Sequence, residues 1–364
     1  MIELLLAFLT FSYQSQLRSL EAATLTLNMT NIALTEYYIT ITNNANIYKM
    51  KVDTGSDYMT LASSEQLNSH TTNLFTCSGS CSKSATETVA TYGDSLSMTG
   101  NIATDGFTIG GKDVTGLQFL LAKSEVGFGA MVCDGLLGLG LGSFFDSDNS
   151  GIMYYLLSQT IVPLKQVGIY LSSTKDDSTS QITLGGFDTT KAVSVKWLPV
   201  SSDSSWTVAV NGYKIGSTKT TANSTLLMTT GLSYSFIPSA VYDKYIAEVR
   251  KKYTTCEVFN GTIFFGCVIK SLEDVKGFPE LSVMIGEETF TFGVDKFVTS
   301  FKADDGNFVA LAMVDKLDGD LWMVGTNFMR GRYMIFNGEN KTIGISGAEN
   351  KIAFGLVLAL LLLL

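Results

Sequence analysis

Twice in this chain an apolar, strand-forming run ends on a residue followed by Thr-Gly. Ile47, Tyr48, Met50 and Val52 lead into Asp53-Thr54-Gly55-Ser56, and Leu226, Leu227 and Met228 lead into Thr229-Thr230-Gly231-Leu232. Each passage is followed, at a comparable distance, by two apolar residues and a glycine: Leu136-Leu137-Gly138 and Met323-Val324-Gly325. An internal repeat of this kind implies two similar lobes facing each other across a cleft. Asp-Thr-Gly by itself also reads as an ordinary turn, and it is the second copy that gives the triplet weight. At the end of a strand, Asp53 would be held rigidly. Hydroxyls beside it can stabilise its charged form, which suits acid–base work.

The rest of the pattern is that of a β-rich protein. With 364 residues the chain can form two lobes of about 150 residues, each with its own core. Alternation over Tyr37–Thr42, an Asn43–Asn46 turn and renewed alternation into Asp53 spell a hairpin. Helices are few: a short one over 152–157, and one opening at Pro238-Ser239 with Val241, Tyr245 and Val249 at four-residue steps. The net charge of −9, with no basic stripe, argues against a nucleic-acid partner.

Both ends of the chain suggest export. Residues 1–19 read as a signal peptide, with an apolar run from Leu4 to Phe11. Residues 347–364 read as a glycosylphosphatidylinositol-anchor signal. Small residues around Ser346-Gly347-Ala348 precede a short polar spacer and an apolar tail from Ile352, and at about 1.5 Å per residue that tail is too short to cross roughly 30 Å of hydrocarbon. Asn28, Asn223, Asn260 and Asn340 each begin an N-glycosylation acceptor triplet. No Cys or His spacing suits a metal, no cofactor is expected, and the only histidine, His70, has no partner for catalysis. Cys133 precedes Asp134-Gly135 in an expected core strand, so it reads as a buried thiol.

From about residue 36 to 346 the chain resembles the pepsin-like aspartic proteases. Besides the two Thr-Gly loops, Ala90-Thr91-Tyr92-Gly93-Asp94-Ser95 looks like that family's flap, with Tyr92 at its tip. Cys133-Asp134-Gly135-Leu136-Leu137-Gly138-Leu139-Gly140 looks like its first-lobe glycine motif, and 321–330 like the second-lobe counterpart. The resemblance implies a mostly all-β, bilobal acid-protease fold of two related barrel-like lobes with a central cleft. The N-terminal lobe would span 36–190 and the C-terminal lobe 191–346. It also implies disulfides Cys77–Cys81 and Cys256–Cys267, and a cleft lined by Thr54, Gly55, Ser56, Tyr92, Gly93, Asp94, Thr230, Gly231 and Leu232.

The same resemblance exposes a break. In the family two aspartates, one per lobe, share a proton so that an acid and a base coexist. Asp53 supplies one, but Thr229 stands at the second position. Leu232 stands where a Ser or Thr usually bonds the second aspartate, and Thr326 replaces an Asp often found after the second glycine motif. Thr60 stands where a Trp often bonds the flap tyrosine, so Tyr92 is expected to be less well held. The expected protein is a monomeric, catalytically silent or severely impaired homologue that binds a peptide or protein ligand in its cleft. It would travel the secretory pathway to the cell surface and attach to the membrane by a lipid anchor, or otherwise be extracellular or endolysosomal. The alternatives are an active endopeptidase with an atypical site and a structural surface-coat glycoprotein.

Overall fold

The computed structural model describes residues 23–66, 68–92, 96–142, 151–259, 263–303 and 306–346. In the first half, β1 (Leu25–Ile32) is followed by the predicted hairpin of β2 (Glu36–Asn43) and β3 (Asn46–Asp53), turning through Asn44 at a φ of 54°. Then come β4 (Met59–Ala62), β5 (Ser82–Tyr92), β6 (Leu96–Ile109), β7 (Lys112–Val126) and β8 (Gly135–Gly138). Helix α1 (Ile152–Ser158), β9 (Gln166–Tyr170) and β10 (Ser180–Leu184) complete it. The described residues thus include a strand, β1, before residue 36, the start of the lobe read from the sequence.

The second half runs through β11 (Lys196–Pro199), β12 (Thr207–Ile215), β13 (Thr218–Met228), β14 (Ser235–Pro238), α2 (Ser239–Lys252), β15 (Cys256–Val258) and β16 (Phe265–Ile269). It continues with β17 (Leu281–Ile285), β18 (Glu288–Phe292), α3 (Val294–Phe297), β19 (Val298–Lys302), β20 (Phe308–Ala312) and β21 (Val314–Leu317). It ends with β22 (Leu321–Val324), α4 (Thr326–Met329), β23 (Tyr333–Asn337) and β24 (Thr342–Ile345). The structure is mostly strands with a few short helices. In α2 the predicted Val241, Tyr245 and Val249 are buried together with Tyr242 and Ile246, and Arg250, Lys251 and Lys252 meet the negative end of the helix.

The internal repeat is visible in the pairing. In the first half β3 lies parallel to β8, β8 antiparallel to β4, and β4 parallel to β7. In the second, β13 lies parallel to β22, β22 antiparallel to β14, and β14 parallel to β21. The two halves are joined by a 13-stranded sheet in which β11, β24 and β23 of the second half continue into β9, β10 and β1 of the first. One apolar core runs through both lobes, and a smaller cluster around Tyr58, Ala90, Met98, Phe128 and Met131 supports the β5–β6 hairpin.

Candidate active site

Each Thr-Gly loop leaves the end of a strand that is flanked by an apolar-apolar-Gly strand. Asp53 pairs with Gly138 in the β3–β8 register, and the Thr229 N–H donates to the Val324 carbonyl at 3.1 Å beside Gly325. Both glycines are required by close backbone approach. A Cβ on Gly138 would lie 2.4 Å from the nitrogen and oxygen of Tyr58, and one on Gly325 2.3 Å from the oxygen of Tyr234. Tyr58 and Tyr234 each stand five residues after the position that faces the cleft.

The loops grip each other through their middle threonines. The Thr54 N–H donates to Thr230 Oγ1 and the Thr230 N–H to Thr54 Oγ1, both at 3.1 Å. The hydroxyls in turn donate across to the Met228 carbonyl at 3.0 Å and the Val52 carbonyl at 2.7 Å. All four bonds are buried, where an unpaired partner would cost about 1–3 kcal/mol.

That grip brings Asp53 and Thr229 side by side. Asp53 Oδ1 accepts from the Gly55 N–H at 2.8 Å and from the Thr229 hydroxyl at 3.0 Å, and Oδ2 accepts from the Ser56 hydroxyl at 2.5 Å. Thr229 Oγ1 accepts the Gly231 N–H at 3.1 Å, as Asp53 Oδ1 accepts that of Gly55. The threonine hydroxyl therefore fills one carboxylate-oxygen position of a symmetrical pair and leaves the other without a counterpart. Asp53 and Thr229 are 6% and 4% exposed, so their bonds form in a largely water-free setting. Leu232, at the position matching Ser56, is half-buried and brings no donor.

Across from these loops, Tyr92 closes β5; Gly93 and Asp94 lie outside the described residues. Thr60 brings no indole to the Tyr92 hydroxyl, as expected, and what holds Tyr92 is the packing of its ring. The Tyr92 ring packs edge-on to Phe128, centroids 5.3 Å apart, and tilts against Tyr58 at 6.1 Å, so two aromatic rings steady it by packing. Burial pushes the Tyr58 phenol up to about 12 and that of Tyr92 higher still, so both stay protonated at any physiological pH. Thr60 is buried and accepts the Leu136 N–H at 3.2 Å, a scaffold role. Tyr58 and Phe128 escaped sequence reasoning; the offset of Tyr58 from Asp53, matching that of Tyr234 from Thr229, was the signal available.

Of the remaining predicted residues, Cys77–Cys81 and Cys256–Cys267 form disulfides. Cys133 is a buried free thiol that burial and Glu36 hold well above its usual range, hence unreactive. Thr326 is buried and donates its hydroxyl to the Ser233 carbonyl at 3.4 Å. Asn28, Asn223 and Asn340 are exposed; Asn260, the signal peptide and the anchor signal lie outside the described residues. His70, read as having no partner for catalysis, is bound by two groups: Nδ1 faces Glu125 and Nε2 the Cys133 carbonyl. A carbonyl cannot be activated as a nucleophile, so this pair is not catalytic.

A model of the eukaryotic aspartyl protease family matches residues 36–348. The chain is 29% identical to rhizopuspepsin-1 of Rhizopus niveus over 86% of its own length and 79% of that protein's. It is 27% identical to pepsin A of Gallus gallus over 72% of its length and 69% of that protein's. The crystal structure of an aspartic proteinase from Irpex lacteus superposes with a TM-score of 0.73 at 20% identity, covering 91% of this chain and 99% of the other.

Proposed function

The chain belongs to the eukaryotic aspartyl protease family, and on that premise we propose that it binds a peptide or an extended protein segment in its cleft without hydrolysing it. One observation carries the reading: the group opposite Asp53 is a neutral hydroxyl, and it donates to Asp53. Water attack on a peptide carbonyl needs one group to take a proton from the water and another to protonate the developing oxyanion. Asp53 can be the first. Thr229 cannot be the second, because a threonine hydroxyl is far too weak an acid, and its own proton already points at Asp53. General acid–base groups each contribute roughly 10²- to 10⁴-fold, so the missing half removes most of the rate.

The binding half of the site supports the reading. The loops grip each other through four hydrogen bonds, and the flap tyrosine rests on a packed aromatic base. Exposed acceptor asparagines and two disulfides accord with an oxidising, exported setting. The proposed protein is a monomer at the cell surface, held by the lipid anchor read from its C-terminus. A second reading, an endopeptidase with an atypical site, draws on the fully furnished Asp53 half.

The test is hydrolysis of a mixed peptide library by the purified protein from about pH 3 to 7, a range that includes the acid conditions under which two paired carboxylates share one proton. No cleavage is expected from the native sequence, and measurable cleavage from Thr229→Asp. Cleavage by the native protein that disappears in Asp53→Asn overturns the proposal and makes the protein a working protease.

A further inference from the structure

His70 is the only histidine of the chain, and it is buried with its partner: 1% of its side chain and 6% of that of Glu125 are exposed. Its Nδ1 lies 2.6 Å from Glu125 Oε2 and its Nε2 2.9 Å from the Cys133 carbonyl oxygen, while the His70 N–H donates to Glu125 Oε1. A carbonyl only accepts, so Nε2 must carry a proton. An ionised carboxylate also only accepts, so either Nδ1 carries a second proton or the carboxyl does. In both cases one titrating proton lies between the two groups. Its removal sets two lone pairs face to face in a site with little water, which is costly.

The pair sits at a telling place. Glu125 is at the end of β7, Cys133 leads into β8, and the segment between them carries Phe128, on whose ring the flap tyrosine packs. Phe128 and Met131 belong to the apolar cluster under the flap. One imidazole thus fastens both ends of the segment that supports Tyr92. The other ionisable groups around it have partners of their own. Glu36 accepts the N–H groups of Val132 and Cys133 and lies 4.0 Å from Lys51. Asp134 accepts from the Thr71 hydroxyl, the Asn73 amide and the Lys49 N–H. The Cys133 thiol stays protonated.

We propose that His70 and Glu125 are positioning residues that make the flap's support depend on pH: with the shared proton Phe128 is held beneath Tyr92, and without it the segment loosens and the cleft binds peptide less tightly. Only the last link rests on the peptide-binding reading. Protonation favours the fastened form, so it prevails on the acid side and is lost as pH rises.

The experiment measures amide hydrogen exchange over 126–133 in the full chain, from about pH 5 to 8.5, corrected for intrinsic rates. Protection should fall roughly 10- to 100-fold across that range, the effect of breaking one buried hydrogen bond. In Glu125→Gln the amide N–H can donate to the Nδ1 lone pair while Nε2–H keeps its carbonyl, so protection should persist and lose its pH dependence. Long-range ¹⁵N spectra of the single imidazole should titrate in step with the loss of protection, a readout that survives even if Glu125→Gln fails to fold. Affinity for a statine-containing hexapeptide should weaken with rising pH in the native protein and not in Glu125→Gln. Flat protection in the native protein, imidazole titration out of step with it, or unchanged pH dependence in Glu125→Gln overturns the proposal. Protection that behaves as stated with no hexapeptide binding at any pH leaves the fastening intact and sinks the peptide-binding reading.

Discussion

The Asp53 loop and the Thr229 loop share a backbone and differ in what they can do with a proton. Both follow a strand flanked by an apolar-apolar-Gly strand, both bring a glycine against a tyrosine backbone five residues on, and both lend a threonine to the mutual grip. Asp53, however, has Ser56 donating to it, whereas the residue at the matching offset from Thr229 is Leu232, whose side chain has no donor. Every feature that holds the loops in place is duplicated, and every feature that would carry charge occurs once. The scaffold of such a site and its acid–base chemistry are separable, because steric fit and backbone hydrogen bonding do not depend on the ionisable group.

The strongest way to sharpen this comparison is to make the loops alike. Thr229→Asp combined with Leu232→Ser should raise acid-pH peptide hydrolysis by about 10²-fold or more over the native protein, measured by product mass spectrometry. If the double variant stays silent, the cleft differs from an active one in more than these two side chains. The equivalence of the scaffold can be broken instead. Gly138→Ala and Gly325→Ala each force a Cβ against backbone, and each should cost about 3 kcal/mol in thermal unfolding, at the upper end for overpacking. A markedly unequal pair would show that one lobe tolerates strain the other does not.

Next come the grip residues. Thr54→Val and Thr230→Val each remove a donor to a buried carbonyl and an acceptor for a buried N–H, so each should cost about 2–3 kcal/mol in denaturant unfolding. The smallest effect separates the two tyrosines. Tyr58 is raised to about 12 in the folded protein, above its unfolded value of about 10, so its neutral form contributes stability below pH 10 that is lost as pH climbs towards 12. Tyr58→Phe should flatten part of that alkaline decline. Tyr234, raised by burial with Asp315 adding, is less enclosed, and Tyr234→Phe should change the same profile less.

Much of this was legible in the sequence because it is written locally. Alternation into Asp53, the Thr-Gly endings and the apolar-apolar-Gly partners follow from strand geometry and close backbone approach, so the repeated lobes and the Thr229 position could be read directly. What could not be read depends on partners far apart in the chain. His70 finds Glu125 and Cys133 across the fold, and Tyr92 finds Phe128 and Tyr58 where the lack of an indole at Thr60 suggested a loose flap. Side-chain periodicity carries no information about which distant ring or carboxylate will be delivered to a given spot. The strand Leu25–Ile32 likewise depends on a distant partner near the end of the first lobe, with Leu25 opposite Leu184.

The sheet that joins the lobes also bears on how the chain is made. Tyr170 of β9 pairs with Tyr333 of β23, and Leu198 of β11 with Ile343 of β24, so this layer closes only when almost the last strand arrives. A growing chain at the ribosome must therefore hold β9 as an unpaired edge while the entire second lobe is synthesised, at about 5–20 residues per second. Folding governed by such distant pairings is slow. Through those seconds the nascent protein presents an open strand edge to its surroundings, the kind of surface on which growing chains aggregate and chaperones act.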